Sequence, residues 1–462
     1  MNPLKYFMEP ESVAILGASS RPGSISALVV KNLLKFGYQG PVYLVNPRGE
    51  ELFGLKFHAR LLDIEGPVDL VVIYLPAAAM VEAIEACVQK GVRAAVVVTD
   101  GLDVPWEGET TITKKMVEVA GRGGLRIMGP NSMGVINVSK KFSTSFASFD
   151  SLSTGKLSII SQTGLFTGAA LSWLITSQRL GVSMSIDLAN KCDVDELDSL
   201  EYLMEDPETK VIGMHIEEVT DGKRFIETAR KISPKKPILA LKPGRTESGA
   251  RAVASHTGSM AGRDELYTAA FTQSGVIRVN DMEDLADLAK AFIHLPPLKG
   301  PNVGVVTFTG GWGALSADVF QEYGLAVARI SETTRRTIQD ISPAWRKITN
   351  PVDMWPPAKL DAAETYQTSI RALVEDPGVD AVLVIAPAMD NPIFDVIGVI
   401  RDESTRSKDK PIVTWAVGHK ESVERAKDMI ESDCLFYPTV TRAVRALAAL
   451  YQYERYREYD RY

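Results

Sequence analysis

The sequence predicts an α/β protein in which parallel, doubly wound sheets are repeated along the chain. Short apolar runs alternate with segments of helical periodicity, and a turn rich in Gly, Ser, Asn or Pro follows each run. The first four runs are residues 13–16, 42–45, 70–73 and 94–98. In addition, two similar α/β segments follow one another in the remainder of the chain. At 462 residues, the chain has room for about three domains.

The composition excludes several classes of protein. A formal net charge of −7 argues against a nucleic-acid partner, because such partners are bound by basic faces. Cys87, Cys192 and Cys434 are far apart and form no CxxC pair, which indicates neither a disulfide framework nor a zinc site. The N-terminus is too short and polar for a signal peptide, and no run reaches the roughly 18 apolar residues of a membrane helix. We therefore expect a cytoplasmic protein with no metal site of its own.

The first predicted domain covers residues 1–134 and contains a candidate ligand site. Ligands of parallel doubly wound sheets bind outside the carboxyl ends of the strands. The turns at that edge contain Gly17, Ala18, Ser19, Ser20, Asn46, Pro47, Pro76 and Asn131. The first turn is not GxGxxG, and no acidic residue ends the second strand, as nicotinamide-binding folds require. The sequence therefore favours another phosphate-bearing ligand over a nicotinamide dinucleotide.

The rest of the chain contains an internal duplication. Residues 135–155 are predicted to form a connection, and domains are predicted over residues 156–295 and 302–462. The two domains share four anchor sequences in the same order, which chance would not produce. The anchors pair residues 159–164 with 305–310, 190–193 with 350–353, 204–207 with 374–377, and 237–244 with 411–418.

One segment is present in the first copy and missing from the second. The stretch from Ile238 to the end of its last helix is 54 positions long, whereas the matching stretch from Ile412 is only 35. The extra residues include the segment 242–263, which has four glycines and one histidine, His256. No apolar periodicity crosses this segment, so a long irregular loop is expected. Because the second copy closes without it, the segment favours a functional role for His256, whose neutral imidazole is a nucleophile.

These residues resemble the NDP-forming acyl-CoA synthetases, in particular the separate α subunit of the ADP-forming acetyl-CoA synthetases, relatives of succinyl-CoA synthetase. The most specific element is Glu247-Ser-Gly-Ala-Arg251 followed by Ser255-His-Thr-Gly-Ser259, which is similar to the family's phosphohistidine loop. Supporting elements are found at residues 17–20, 129–131, 161–164, 309–311 and 350–353. The resemblance covers the whole chain. It implies a Rossmann-like CoA-binding domain followed by two flavodoxin-like domains.

The resemblance also implies a reaction and a partner. Acyl-CoA, ADP and phosphate would be converted reversibly to the acid, CoA and ATP, through an acyl phosphate and a phosphohistidine. The chain has no GxxxxGK[ST] phosphate loop and no ATP-grasp domain. We therefore expect a separate ATP-grasp β subunit, in an α2β2 heterotetramer, to bind ADP or ATP with Mg2+. A non-catalytic CoA-binding regulatory or scaffold protein is the alternative.

The resemblance assigns roles to single residues. His256 would carry the phosphoryl group, and Glu217 would hold one imidazole N–H, with Glu218 as the alternative. Phosphate would bind at two strand-to-helix turns, where free N–H groups and the helix dipole favour an anion. These turns contain Ser161, Gln162, Thr163, Gly164, Gly310 and Gly311, and CoA would bind the eight turn residues of the first domain named above. Trp312 departs from the family pattern, so the resemblance does not carry over the identity of the acid.

Overall fold

The protein is described by a computed structural model with three mainly parallel sheets. It describes residues 2–49, 51–106, 108, 110–149, 152–257, 262–354, 362–388, 396–430 and 435–459, with the backbone alone for residues 256, 257, 427, 429 and 430. The chain divides into two compact units, one up to residue 282 and one from residue 283 onwards. No helix in the described ranges is long and apolar enough to cross a membrane.

The first sheet has the strand order of a Rossmann fold. Its strands are β1 (Val13–Leu16), β2 (Val42–Val45), β3 (Glu51–Leu52), β4 (Leu55–His58), β5 (Leu70–Ile73), β6 (Ala94–Val97) and β7 (Arg126–Met128). They are arranged β3-β4-β2-β1-β5-β6-β7, and all neighbours except β3 and β4 are parallel. Without the short β3, this is the order 3-2-1-4-5-6. The helices are α1 (Lys5–Met8), α2 (Ile25–Phe36), α3 (Met80–Lys90) and α4 (Ile112–Gly123).

The second sheet lies in the same unit. Its strands are β8 (Val135–Asn137), β9 (Phe142–Ser143), β10 (Thr154–Ser161), β11 (Val182–Asp187), β12 (Val211–His215), β13 (Ile238–Leu241) and β14 (Ile277–Val279). The order is β14-β13-β12-β10-β11-β8-β9, with β8 and β9 antiparallel to their neighbours. The helices are α5 (Ala169–Thr176), α6 (Glu196–Glu205), α7 (Gly222–Ile232), α8 (Glu247–Thr257) and α9 (Asp264–Ser274).

The third sheet forms the second unit. Its strands are β15 (Asn302–Thr307), β16 (Ala326–Val327), β17 (Val352–Asp353), β18 (Ala381–Ala388), β19 (Ile412–Gly418) and β20 (Leu435–Tyr437). Their order is β16-β15-β18-β19-β20, and β17 also pairs with β15. The helices are α10 (Met282–His294), α11 (Gly310–Glu322), α12 (Glu332–Asp340), α13 (Ala362–Glu375), α14 (Ile397–Arg406), α15 (Lys420–Ile430) and α16 (Val440–Tyr459). Helix α10 is fixed to α16 by an ion pair between Asp287 and Arg442.

The second and third sheets have the same order of parallel strands. The order β11-β10-β12-β13-β14 in the second sheet and β16-β15-β18-β19-β20 in the third are both 2-1-3-4-5, the flavodoxin-like order. Two helices, α8 and α9, lie between the fourth and fifth core strands of the second sheet. In the described part of the third sheet, α15 alone lies there. The extra residues of the first copy therefore amount to one additional helix.

Two local predictions differ from the structure. Residues 135–155, predicted to be a connection, include β8 and β9, which extend the second sheet beyond β11. The segment 242–263, predicted to be an irregular loop, includes helix α8. This helix starts because the Thr246 hydroxyl and carbonyl accept N–H groups of the first turn, from Gly249 and Ala250. Val253 is its one buried described side chain. A mainly exposed helix leaves no apolar periodicity in the sequence.

Candidate functional site

The carboxyl edge of the second sheet brings several predicted residues together. Parallel pairing aligns the last residues of four neighbouring strands, in the order Asp187, Ser161, His215 and Leu241. Asp187 and Ser161 are fully buried, and His215 is 9% exposed. Ligands of doubly wound sheets bind outside this edge. Among these four residues, the sequence predicted Ser161 alone as a site residue.

The turn after Ser161 differs from the predicted strand-to-helix junction. Thr163 is extended, and a four-residue 3-10 helix, Gly164–Thr167, precedes α5. Thr163 and Gly164 are half-buried and lie at the start of this turn. A Cβ atom on Gly164 would lie 2.5 Å from Met133 Sδ, so a larger residue there would displace the Met133 side chain. The predicted α-helical dipole is therefore absent from this turn, and the candidate anion donors are hydroxyl and amide groups.

Gln162 shapes the turn that carries the predicted glutamates. Its Oε1 accepts the backbone N–H groups of Glu217 (2.6 Å) and Glu218 (2.9 Å). Its Nε2 donates to the Glu218 carbonyl at 2.8 Å, and its backbone N–H donates to the His215 carbonyl. Gln162 is 5% exposed, and most of its hydrogen-bonding capacity is used in these contacts. Gln162 thus positions the turn, and its predicted contact with phosphate stays a prediction.

Two further side chains hold the same turn. Lys191 Nζ donates to the Glu218 carbonyl at 2.6 Å and pairs with Glu196 Oε2 at 2.9 Å. Burial raises the pKa of the Glu196 carboxyl, and the Lys191 ammonium acts in the opposite direction. On the other side, the Tyr267 hydroxyl accepts the Val219 N–H at 3.1 Å. The turn from Glu217 to Val219 is therefore held from three directions, by Gln162, Lys191 and Tyr267. The sequence analysis had given no role to the side chains of Lys191 and Tyr267.

The two candidate glutamates differ in burial. Glu217 is 4% exposed, whereas Glu218 is half-buried. The Glu217 side chain therefore lies inside the protein at the edge that holds Ser161 and His215. This difference favours Glu217 over Glu218 as the residue predicted to orient a histidine.

A buried lysine lies at the start of the segment that carries His256. Lys242 follows β13 and is 2% exposed. Its Nζ donates to the Pro243 carbonyl at 2.6 Å and lies 4.6 Å from the centroid of the Tyr267 ring. Burial lowers the pKa of the Lys242 ammonium, and the nearby Asp264 carboxylate opposes this effect. The sequence analysis missed this residue, although a lysine directly after a buried strand was a usable signal.

Helix α8 carries His256 in its last turn. The His256 side chain and residues 258–261, including Gly258, lie outside the described residues. Glycines with positive φ flank the helix, at Gly244 (81°) and Gly262 (66°). Glu247 and Arg251 form an exposed ion pair on the helix. The predicted phosphoryl carrier thus belongs to a helix that follows the carboxyl end of β13.

The predicted CoA residues lie at the carboxyl edge of the first sheet. Gly17, after β1, has φ 79°, and a Cβ there would lie 2.8 Å from the Tyr74 carbonyl oxygen. After β2, Asn46 Nδ2 donates to the Ala18 carbonyl at 2.8 Å, which ties two of the predicted turns together. The Ser19 N–H donates to Ser26 Oγ at the start of α2. The remaining predicted residues are Ser20 and Pro47, which are exposed in the same turns, Pro76 after β5, and Asn131 after β7.

A loop after β7 connects the predicted CoA site at the first sheet to the predicted phosphate turn at the second sheet. Asn131 is exposed in this loop and has φ 66°. Two residues further on, the Met133 N–H donates to Asp187 Oδ2 at 2.7 Å, and Ser132 Oγ donates to the Asp187 carbonyl. Burial raises the pKa of the Asp187 carboxyl to about 7, while the Met133 N–H lowers it. The predicted CoA loop is therefore attached to the strand next to the predicted phosphate turn.

The matching turn of the second unit has a different environment. Gly310 and Gly311 open helix α11, and a Cβ on Gly310 would lie 3.1 Å from Asp353 Oδ2. Trp312 packs against Phe308 and Trp415, with ring centroids 4.9 and 5.0 Å apart. A carboxylate thus lies beside this helix start, and an aromatic cluster lines it. The binding of phosphate by Gly310 and Gly311 stays a prediction.

Three domain models match the chain in the predicted order. They are a CoA binding domain over residues 11–138, a succinyl-CoA ligase like flavodoxin domain over residues 154–292, and a Ligase-CoA domain over residues 303–459. Together with the fold and the two sheet edges, they define the class of acyl-CoA ligases related to succinyl-CoA ligase.

Similarity over the full length narrows the class. The chain is 36% identical to acetate–CoA ligase [ADP-forming] I subunit alpha of Pyrococcus furiosus, over 98% of both chains. It is also 36% identical to the II subunit alpha of that organism, over 97% of this chain and 96% of the relative. A solved structure of the dinucleotide forming acetyl-coenzyme A synthetase 1 of Ca. Korarchaeum cryptofilum, in complex with phosphate and ADP, matches with a TM-score of 0.90 and 34% identity. This match covers 100% of this chain and 99% of that chain. The chain belongs to the family of ADP-forming acetate–CoA ligase α subunits.

Proposed function

We propose that this chain is the α subunit of an ADP-forming acyl-CoA ligase and carries the phosphoryl group on His256. One observation supports the proposal above the others. Helix α8, with His256, is the element that the first copy has and the described part of the second lacks. It follows the strand edge that holds Ser161 and the Glu217 turn. The full-length similarity to α subunits supports catalysis over the alternative of a non-catalytic CoA-binding protein.

The proposed reaction proceeds in three steps. Phosphate attacks the thioester carbonyl, the C–S bond breaks, and acyl phosphate and CoA are formed. A neutral imidazole nitrogen of His256 then attacks phosphorus, the P–O bond to the acyl group breaks, and the acid leaves as a carboxylate. Finally, ADP attacks the phosphohistidine, ATP is released, and the imidazole is regenerated.

Each step makes a demand on named residues. The phosphate needs donors, for which we assign the Ser161 hydroxyl and the Thr163–Gly164 turn. The imidazole needs an acceptor that holds its second ring nitrogen as N–H, for which we assign Glu217. Gln162 acts through the turn, because its side chain fixes the backbone of Glu217. CoA is assigned to the turns at Gly17–Ser20, Asn46–Pro47, Pro76 and Asn131.

We assign ADP and Mg2+ to an ATP-grasp partner. The alpha designation of the Pyrococcus relatives supports a partner subunit. Among the described residues, no group of three or more His, Cys, Asp or Glu side chains could hold a metal ion. An α2β2 assembly and a cytoplasmic location stay predictions, as do the domain boundaries at residues 134, 156, 295 and 302.

A reconstitution experiment tests this proposal. The purified chain, with and without a co-expressed ATP-grasp subunit, is incubated with acetyl-CoA, ADP, phosphate and Mg2+, and ATP and free thiol are measured. We expect both products from the mixture and no ATP from the chain alone. ATP formation by the chain alone would contradict the two-subunit proposal. A mixture with His256→Asn that still makes ATP at the wild-type rate would contradict the phosphohistidine.

A further inference from the structure

A buried hydroxyl and a buried carboxyl lie side by side at the carboxyl edge of the second sheet. Ser161 ends β10, Asp187 ends β11, and the two residues are directly paired in register. Both are fully buried. The Ala189 N–H and the Ser161 hydroxyl are both close enough to lower the pKa of Asp187, yet neither Ser161 Oγ nor Asp187 Oδ1 meets the geometry of a hydrogen bond to a described residue. Buried polar atoms of this kind are rare and need an explanation.

The other oxygen of the carboxyl group is firmly held. Asp187 Oδ2 accepts the Met133 N–H at 2.7 Å, and the Asp187 carbonyl accepts the Ser132 hydroxyl. The carboxyl plane is therefore fixed from the side of the loop, so that Oδ1 is directed away from that contact. The proposed reaction gives Asp187 no role.

The protonation of Asp187 determines what the Ser161 hydroxyl can do. A hydroxyl is one donor and two acceptors. If Asp187 is ionised, the hydroxyl proton points to Oδ1, and only oxygen lone pairs face an anion in the adjacent turn. If Asp187 is protonated, Oδ1–H donates to Ser161 Oγ, and the hydroxyl proton is available to the anion. An anion at the Ser161–Gly164 turn therefore binds better when Asp187 is protonated.

We propose that Asp187 is a positioning residue that takes up one proton from solvent when phosphate binds at the Ser161–Gly164 turn, and so directs the Ser161 hydroxyl to the phosphate. This inference rests on the proposed function of that turn. It adds that phosphate affinity is linked to pH through a residue that does not itself touch phosphate.

The titration of Asp187 can be measured separately from that of its neighbours. Burial raises the pKa of the Asp187 carboxyl to about 7, and no charged side chain among the described residues contributes to it. The other titratable groups at this edge are His215 at the end of β12, Glu217 in the following turn, and Lys191, which is paired with Glu196. Asp187→Asn removes one titration and leaves these groups in place.

Anion binding to the full chain tests the proposal, with sulfate as the probe because its charge does not change between pH 6 and 8.5. Calorimetric titrations in two buffers of different ionisation enthalpy give both the affinity and the protons taken up. For the wild type, we expect affinity to be flat below about pH 6.5 and to fall by up to about tenfold per pH unit above pH 7. Proton uptake should rise towards about one per sulfate at pH 8.

The variants separate the inference from the site itself. In Asp187→Asn, the amide oxygen can accept the Met133 N–H while the amide N–H donates to Ser161, as the protonated acid would. This variant should bind sulfate at pH 8 about as well as the wild type does at pH 6, without proton uptake. Ser161→Ala should bind more weakly at pH 6 and lose most of the pH dependence, which tests the same link if the amide variant folds poorly.

The outcomes are distinguishable. If the pH dependence of sulfate affinity and the proton uptake persist unchanged in either variant, the proposed role of Asp187 is wrong, whereas the proposed phosphate site is unaffected. Sulfate that fails to bind the wild type at every pH, together with phosphate that also fails at pH 6, would overturn the inference and the proposed phosphate site together.

Discussion

Asp187→Asn should stabilise the second sheet at neutral and alkaline pH. Burial raises the pKa of Asp187 from an ordinary value of 3.8 to about 7 in the folded protein. The folded state therefore binds this proton more tightly than the unfolded state, so stability falls as the pH rises from about 4 to about 7 and is level above that. The difference between the two pKa values corresponds to about 4 kcal/mol at pH 8. Asparagine does not titrate and can keep the contact with the Met133 N–H.

Hydrogen exchange measured by mass spectrometry on peptides from β10 and β11 is the assay, because it reports the opening of these strands. After correction for intrinsic rates, wild-type protection should fall between about pH 5 and pH 7 and then stay level to pH 8, whereas the variant should stay level throughout. At pH 8 the variant should be protected up to about a thousandfold more strongly. Glu65→Gln, at an exposed position of the same unit, controls for the lost charge. Level wild-type protection, or a variant less protected than the wild type at pH 8, would refute the reasoning.

Three further substitutions test local features of the structure, and a fourth, Gly121→Ala, is a control. Gly164→Ala should cost about 1 kcal/mol, because its Cβ would lie 2.5 Å from Met133 Sδ and the Met133 side chain would have to move. Gly121→Ala, in helix α4 with nothing within 4 Å, should instead gain up to about 1 kcal/mol, and urea unfolding compares the two. Gln162→Ala should release the turn after β12 and lower kcat more than it raises the KM for acyl-CoA. A higher KM with an unchanged kcat would instead argue that Gln162 binds the substrate directly. Gly17→Ala should weaken CoA binding by about tenfold or more, because φ at this position is 79°. Calorimetry on the wild type should favour CoA over NADH, and the reverse preference would contradict the assignment.

The three-sheet organisation could be predicted from the sequence, for a physical reason. Strands buried on both faces, such as Val13–Leu16 and Leu70–Ile73, are continuous apolar runs, and the turns that follow them must contain residues such as Gly17. The order of anchor sequences in the two copies corresponds to the shared 2-1-3-4-5 strand order. The apolar runs and the residues of the turns that follow them were together sufficient to predict the three sheets.

Elements that rely on other interactions were missed. Helix α8 is exposed on most of its surface, so Thr246 capping and favourable residues such as Ala250 form it without an apolar stripe. Strands β8 and β9 have only three and two residues, too few for a pattern to be recognised. Pairing of β8 with β11, and of β9 with β8, supports them. The contact between Asp187 and Met133 joins residues 54 positions apart, and no local pattern marks such a pair.

The central claim is that His256 carries the phosphoryl group, and phosphopeptide mapping tests it most directly. The chain is incubated with acetyl-CoA and radiolabelled phosphate in the absence of ADP, and the label is located after digestion at alkaline pH. We expect acid-labile, base-stable label on the peptide that contains His256, slower labelling at the same site in Glu217→Gln, and none in His256→Asn. Label that is stable to acid, or that persists at the wild-type rate in His256→Asn, would contradict the account.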